Sequence, residues 1–506
     1  MANQQFDSIQ VKAPGSNRFD LTYPVITSIN PGYLYPAGHP IEVIPGDKFR
    51  IDSEAIVRMA PMLAPVMHRY DVYIHHWAVP HRLVWSGWEK FITQQPDIDT
   101  GQIPVHPYMT LNTGTYTKLA DYMLLPTPTG LQSEVISPIP FAAYQCIYHE
   151  YYRDQNMVPE FDYQLIDGDN TSQPNLNQLR QRAWEHDYFT SALPFAQAGA
   201  PVEIPMNFED VNVYRNSAGT VPATNITGLT GGVNPLTITN ATPNSADIPA
   251  NALFADTSDL GTTTTIRDLR TAMALQRHLE INGRAGRRYP EFIMAHFGVK
   301  TSDRRIQRPH YIGGIKNPIS ISEVLNTTGT DTAPQGNMAG HGISVIGGTH
   351  DGEYYSEEYA TIISLISILP KTSYMQGIHR SWLKYNDVYK YYTPQFAHVG
   401  EQEIENREIY AFQGVPDSIG TFGYTPRYVE YKQLYGGVSG EMRTNLNYWH
   451  AARLFENPPR LNRQFIECLD DYRIFAVTDD QVDHFYVSIL HKISATRKIP
   501  FFANPI

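Results

Sequence analysis

The sequence predicts an all-β chain, a jelly roll with long loop insertions and a few short helices, folded as one domain over residues 1–506. Three observations predict it. Strand-like runs rich in β-branched and aromatic residues stand near both ends of the chain. Helices and strands do not alternate regularly, as a doubly wound sheet would require. Charged residues make up only 18%, beside 33 Tyr, 37 Pro and 35 Gly, where about a quarter is usual. Such a surface suits β-proteins that stay assembled, because interfaces are depleted in charge and enriched in Tyr, although an ordinary loop-rich β-protein shares it. Length alone would allow roughly three domains. The flanks of the excursion over residues 207–265 resemble the same β-rich body, which favours one domain with insertions.

Each element follows from its residues. Ile41-Glu42-Val43-Ile44 reads as a strand running into the Pro45-Gly46-Asp47 turn. Tyr70 to Val79 is β-branched and aromatic, and Pro80 ends it because proline cannot donate to a ladder. Ile139 to Arg153 reads as a helix with Phe141, Tyr144, Ile147 and Tyr148 on one side. Ile266 to Ile281 reads as another: Ile266, Leu269 and Met273, with Ala272, Leu275 and Leu279, recur at three- and four-residue steps. Gly283 is its expected stop. Tyr472 to Val477 and His484 to Ile493 give two further strands joined through Asp479-Asp480. With strands at both ends, early and late strands can become neighbours, as a jelly roll requires.

Residues 207–265 differ in composition. They are rich in Thr, Asn, Gly and Pro and carry few charges, as in a linker. Yet Ile226, Leu229, Val233, Leu236 and Ile238 recur through them, which pure linkers lack. A surface insertion with small strands of its own is expected.

Charge and motifs exclude several classes. The net charge of −12 argues against a chain that coats nucleic acid with its whole surface, while leaving room for a local basic face. Two cysteines, Cys146 and Cys468, far apart in sequence, argue against a disulfide framework or a cysteine zinc site and suit a reducing cytoplasm. The opening residues have no apolar core, so no secretory signal is expected. No apolar run is long enough to span a membrane. Neither a phosphate-binding P-loop nor a dinucleotide fingerprint is present. His149-Glu150 begins a zincin helix, but Arg153 stands where the second His is needed. His75 and His76 are adjacent on a strand and point to opposite faces, which favours hydrogen-bonding histidines over a shared metal with His81. Gly437-Val438-Ser439-Gly440 lacks the full nucleophile-elbow pattern. No catalytic or metal residue is nominated. Asp162, Asp167, Asp169 and Asn170 form an acidic turn that departs from the EF-hand loop, so no cofactor is expected, with structural calcium there as the one alternative left open.

The most informative charged feature lies between Arg267 and Arg308. Arg277, Arg284, Arg287, Arg288, Arg304, Arg305 and Arg308 cluster there with Tyr289, Phe292, Phe297 and Tyr311 interleaved. Arginine and aromatic residues contact phosphates and stack on unpaired bases; arginines at an assembly interface pair equally well with a neighbour's carboxylates. Both readings stand, with the inner surface of an assembly or a subunit contact as the expected place. His491, Lys492, Arg497 and Lys498 suggest a second, smaller basic patch.

Several segments resemble the major capsid proteins, F-type, of the microvirus family, especially its gokushovirus branch. They are Asn30 to Pro36 followed by Glu42 to Phe49; His75 to Pro80 with Arg82-Leu83-Val84-Trp85; His186 to Met206; Glu291 to Gly314; Pro334-Gln335-Gly336 with Ala339-Gly340-His341-Gly342; and Phe422 to Tyr428 with Tyr431-Lys432. They occur in family order over nearly the whole chain. The tail around Thr496 to Pro500 keeps only a basic-then-Pro character.

The resemblance implies an eight-stranded antiparallel viral jelly roll. It implies a structural protein that self-assembles into a T=1 icosahedral shell around a circular single-stranded DNA genome. It also implies that residues 207–265 form protrusions at the threefold axes, where Ile226, Leu229, Val233, Leu236 and Ile238 would contact one another or a host surface receptor. Further partners would be a small basic DNA-packaging protein and a scaffolding protein, with assembly in the bacterial host cytoplasm and the virion as destination. No enzymatic activity is expected. The rival reading is a β-rich carbohydrate-binding protein or glycosidase: abundant Tyr and Trp suit sugar stacking, but no secretory signal and no evident carboxylate pair support it. A tail fibre would show repeats, and none is visible.

Overall fold

The long strand Lys48–Met59 alternates in burial, with Phe49, Ile51, Ser53, Ala55, Val57 and Met59 inward and Arg50, Glu54 and Arg58 outward. A period of two places one apolar face against a core and leaves the other to water. Phe485–Arg497 carries the same pattern and pairs with it antiparallel, from Phe485 opposite Met59 to Thr496 opposite Lys48. The first long strand and the last are therefore direct neighbours. The computed structural model describes residues 15–96, 101–126, 132–202, 213–214, 254–255, 265–325, 338–347, 352–412, 418–469, 471–479 and 481–502.

The strands of the two main sheets are β1 (Asn17–Asp20), β2 (Tyr23–Ile29), β3 (Tyr33–Pro36), β4 (Ile41–Val43), β5 (Lys48–Met59), β6 (Tyr70–Pro80), β7 (Arg180–Gln181), β8 (His310–Pro318), β9 (Ser320–Leu325), β10 (Met338–Ile346), β11 (Gly352–Tyr355), β12 (Ala360–Pro370) and β13 (Phe485–Arg497). In the first sheet β13 carries β1 and β2 on one side and β5 on the other, followed by β10 and β9, with β11 also on β5. The second sheet runs β8-β6-β12-β3-β7, with β4 also on β12. Every pairing in both is antiparallel.

The two sheets face each other. Val57, Met59, Phe485, Val487 and Ile489 from the first pack with Tyr70, Val72, Ile74, Ile366 and Ile368 from the second. The other face of the second sheet is covered too. Trp77, Val79, Ile363 and Leu365 pack against Phe141, Ala142 and Tyr144 of helix α1 (Ile139–Ile147). Burial on both faces explains why β6 and β12 read as continuous apolar runs rather than alternating ones.

Between the sheets lies a buried polar chain. Ser53 Oγ sits 3.1 Å from His76 Nε2 and 2.9 Å from His491 Nδ1, and His76 Nδ1 is 2.8 Å from Ser364 Oγ. A buried polar group is tolerated only when so satisfied.

Some expectations need correction. Tyr472 to Val477 is a turn, not a strand. Tyr472 has φ 55°, and the Phe475 N–H donates to the Tyr472 carbonyl at 2.9 Å. Its rings fill the end of the core, Tyr472 stacking on His484 at 4.4 Å, and its pairing is reduced to an isolated antiparallel bridge between Phe475 and Met62. The basic patch near the C-terminus is also not one face: strand alternation turns His491 into the core, while Lys492 pairs outside with Glu54 and Arg497 pairs with Asp47 at 3.0 Å. The helix expected over Ile139 to Arg153 is α-helical only to Ile147 and continues as a π-turn over Tyr148–Tyr152.

The chain divides into two units, Met1–Ala196 with Ala285–Ile506, and Gln197–Arg284. In the second, helix α2 (Ile266–Ala285) has 20 residues and passes through its expected stop. Gly283 is kept for close approach instead, since a Cβ there would lie 3.2 Å from the Ala198 nitrogen. The chain stops being helical at Gly286, whose φ is +105°. Val213–Tyr214 pairs antiparallel with Phe254–Ala255. Ile226, Leu229, Val233, Leu236 and Ile238 lie outside the described residues.

Candidate binding cleft

Alternation along β6 sends Tyr73, His75 and Trp77 to the face away from the sandwich. β8 lies beside it and places Tyr311 opposite Trp77 in the register. The π-turn, a form that recurs at functional sites, brings Tyr151 and Tyr152 to the same place. Residues 182–186, helix α3 (Tyr289–Phe297) and residues 300–308 complete the walls. Together they line a cleft of about 850 Å³, within the usual size range of ligand sites, about 300–1,000 Å³.

Its floor is aromatic. Trp77 lies 4.1 Å from the Tyr151 ring and 4.7 Å from Tyr311. The Trp77 indole N–H donates to Tyr152 Oη at 3.3 Å, and the Tyr152 hydroxyl in turn reaches His75 Nδ1 at 2.6 Å. Burial, then the nearby Arg182 charge, lowers His75 to about 3, so its ring is neutral and free to accept that proton. Burial likewise raises Tyr152 to about 12. Trp184 is only 5% exposed, and among the described residues its indole nitrogen meets no hydrogen-bond partner.

The walls are charged. The Arg182 guanidinium stacks on Tyr73 at 4.1 Å and donates to Ser367 Oγ at 2.6 Å. Arg308 stacks on Tyr151 at 4.1 Å. Lys300 is exposed at the rim. Against these stand Asp303 and Glu185. Burial alone would raise Glu185, but hydrogen bonds from Lys316, Lys371 and Tyr73 outweigh it and hold the carboxyl at about 2. Glu185 is thus already held by Lys316 and Lys371, while Asp303 remains as a carboxylate beside Arg182, Lys300 and Arg308.

The seven nominated arginines do not form one face. Arg288 and Arg308 turn inward onto Glu150, at 4.0 and 3.6 Å. Arg304 pairs with Glu357 and donates to the Tyr355 carbonyl at 2.9 Å. Arg287 lies 5.5 Å from the Phe195 ring, and Arg305 is exposed. Arg277 and Arg284 belong to the other unit. Of the seven only Arg308 lines the cleft. Sequence reasoning missed Arg182 and Trp184; their surroundings come from β6, β12 and β8, more than 100 positions away in places, and no local pattern signals them. His75 and His76 do diverge to opposite faces, one to the cleft and one to Ser53.

The acidic turn at 167–170 is engaged by its own chain: Asp167 accepts from the Trp85 indole at 2.8 Å and Asp169 from the Thr171 N–H at 2.8 Å. Cys146 and Cys468 are buried thiols. Among the described residues no helix is long and apolar enough to cross a membrane.

The family described as capsid protein (F protein) matches residues 9–506. The chain is 33% identical to capsid protein VP1 of Bdellovibrio phage phiMH2K over 449 residues, 84% of this chain and 83% of that one. It is 28% identical to capsid protein VP1 of Chlamydia phage 1, covering 99% and 97% of the two chains. It is also 28% identical to that of Spiroplasma virus 4, covering 97% and 95%. A match over the whole body, with relatives named for a structural role, means that the chain belongs to the F-type capsid protein family of the microviruses and is a structural protein rather than an enzyme.

Proposed function

We propose that this chain is the shell-forming subunit of a virion, and that copies of it close into a T=1 icosahedral capsid around a circular single-stranded DNA genome. The observation that carries the reading is the family match over residues 9–506. The two facing sheets, with first and last long strands paired, support a jelly-roll assignment for the sandwich, since that topology brings early and late strands together. Interfaces of specific assemblies bury on the order of 1,600 Å², and closed symmetry multiplies them without leaving an open edge. A subunit of net charge −12 repels DNA on average, so packaging calls for a local positive surface or a separate small basic protein. A scaffolding protein during assembly in the host cytoplasm and a host surface receptor at the 207–265 insertion complete the proposal; no cofactor enters it.

Sedimentation of the expressed chain, alone and with the neighbouring genes of its genome, followed by electron microscopy of the fast fraction, tests it. Uniform closed particles are expected in at least one condition. A slow, small species in every condition overturns the reading.

A further inference from the structure

We infer that an exposed stripe of α2 docks on a second copy of this chain, against the ledge formed by residues 103–108 and 160–169 of that copy's larger unit. The inference deepens the shell reading, from which it takes the second copy, by naming the surfaces that meet.

Helix geometry separates two sides of α2. Steps of three and four residues put Leu269, Ala272, Gln276, Leu279 and Gly283 on one side. That side is covered by its own unit: the Leu279 carbonyl accepts from the Ala198 N–H at 3.0 Å, the Gln276 amide reaches Gln197, and Gly283 lies against Ala198. Beside it Ile266, Arg270, Met273 and Arg277 follow at i, i+4, i+7 and i+11, a second stripe along the same helix. Ile266 is 72% exposed and Met273 61%. Arg270 and Arg277 are exposed too, about 10 Å apart along the axis, and neither has an ion pair among the described residues. The carboxylates nearest the stripe have local partners, Glu280 accepting from Gln276 Nε2 at 2.8 Å and Asp268 from Thr265 Oγ1 at 2.8 Å.

The alternation of aliphatic and arginine side chains selects the partner. A phosphate backbone would engage the two arginines and leave Ile266 and Met273 in water. A wholly apolar surface would bury two guanidinium groups without partners, which is costly. The matching surface carries aliphatic groups with carboxylates beside them, and the larger unit presents one. The Gly168 N–H donates to the Val105 carbonyl at 3.3 Å and the Tyr108 N–H to the Gly168 carbonyl at 2.8 Å, which lays the two segments side by side. Ile103, Val105 and Ile166 are exposed on them. Glu160, Asp162, Asp167 and Asp169 are exposed there as well, and neither segment contains a lysine or an arginine. From the elements packed beneath, Arg153 pairs with Glu160 at 3.2 Å but is itself buried, while the Glu160 side chain is 80% exposed. The His106 ring is packed on Trp85 and Phe91. Bonds from Trp85 and Thr171 orient Asp167 and Asp169 without removing their charge. The ledge is thus net negative and partly aliphatic where the stripe is positive and partly aliphatic. A contact between two different surfaces of identical copies, repeated about a symmetry axis, closes a ring, as a shell requires.

The test is charge reversal with rescue in the full-length chain, read by light scattering against protein concentration under the condition in which wild-type particles form. Arg270→Glu with Arg277→Glu should raise the concentration at which particles form at least about tenfold, and so should Glu160→Lys with Asp162→Lys. All four changes together should return it to within about threefold of wild type, because each reversed surface then meets a reversed partner. Glu160→Gln with Asp162→Asn keeps the local hydrogen-bonding groups and should raise it by less, which guards against a ledge that no longer folds with lysines. Met273→Asp should raise it, whereas Leu275→Asp, exposed on another side of α2, should not. Reversals that leave the wild-type value unchanged, or four changes together that assemble no better than either pair alone, would overturn the inference. So would a Met273→Asp chain that assembles normally while Arg270→Glu with Arg277→Glu loses only DNA uptake, since the arginines would then serve phosphates. A wild-type chain that forms no particles in any condition overturns the shell reading itself, whereas particles indifferent to these reversals overturn the docking alone.

Discussion

Burial holds three histidines neutral, and that sets how the fold responds to acid. His75 is lowered to about 3, His81 to about 4 and His68 to about 4, in each case first by desolvation. His75 and His81 each have a fixed hydroxyl partner, Tyr152 for His75 and Thr361 at 2.9 Å for His81. In the unfolded chain these groups protonate near 6.5. Between about 6.5 and about 4 the unfolded state therefore binds protons that the native state does not, and stability falls as pH falls through that window. Above 6.5 the contribution is complete and flat. Thermal melting of the subunit between pH 7.5 and 4 should show a decline that starts near 6.5, well above the carboxylate range. His81→Gln keeps a hydrogen-bonding side chain and removes one titrating group, so its decline should be shallower. A wild-type curve flat down to pH 5 would contradict the argument.

Among the elements, β8 joins β6 in tying the sandwich to the cleft. It pairs with β6 through a register shift between Tyr311 and Gly313, and such a bulge re-aims side chains. Gly314 sits just past it. A Cβ there would lie 2.5 Å from the Ile74 carbonyl oxygen and 2.8 Å from the Tyr311 hydroxyl. Gly314→Ala should therefore cost about 1–3 kcal/mol, as overpacking does, and should also displace Tyr311. Ile489→Ala, deep in the core at 1% exposure, should cost about 2–5 kcal/mol by leaving a cavity while leaving the cleft alone. Urea unfolding measures both costs, and the fluorescence of Trp77 and its neighbouring tyrosines in the cleft separates the two; native-state fluorescence unchanged in Gly314→Ala would show that the bulge does not position Tyr311. The same elements show what the sequence could reveal. β6 and the final strand were legible because a β-branched run ended by Pro80, and an alternating run after His484, are local signals. Tyr472 to Val477 carries the same composition, yet Tyr472 turns left-handed and its ring packs on His484, leaving a single bridge to Met62; composition reports burial, not how far a ladder extends. The arginine run was visible, but its division was not, because Glu150 and Glu357, which draw Arg288, Arg308 and Arg304 away from a common face, stand far from it in sequence.

A subunit that builds a shell must bury surface that it exposes alone, and one region of the larger unit stands out for this. Trp382 is 77% exposed, Tyr385 76% and Val388 80%, with Tyr389, Tyr391 and Tyr392 following. Large apolar groups in one stretch of surface mark interaction sites, and Tyr and Trp are the residues enriched at interfaces. The support beneath them is rigid. Lys384 lies 3.9 Å from the Tyr431 ring and pairs with buried Glu430 at 2.9 Å, while Arg380 pairs with buried Glu408 at 2.8 Å. Asp387 caps the short turn that carries Tyr389, accepting from its N–H at 2.8 Å. A segment anchored this way loses little backbone freedom on docking, which lowers the cost of association. The occupant that fits the proposed shell is a second copy of this chain. Replacing Trp382 and Tyr385 together by Ala should leave subunit melting within about a degree, because exposed side chains contribute little to the fold. It should raise the concentration at which particles form more than tenfold, since a central aromatic at an interface is worth about 2 kcal/mol or more and every subunit carries the change. Light scattering against protein concentration measures the threshold. Particles forming at the wild-type threshold would mean that this aromatic face looks outward in the assembled shell and that the contacts between copies are made elsewhere.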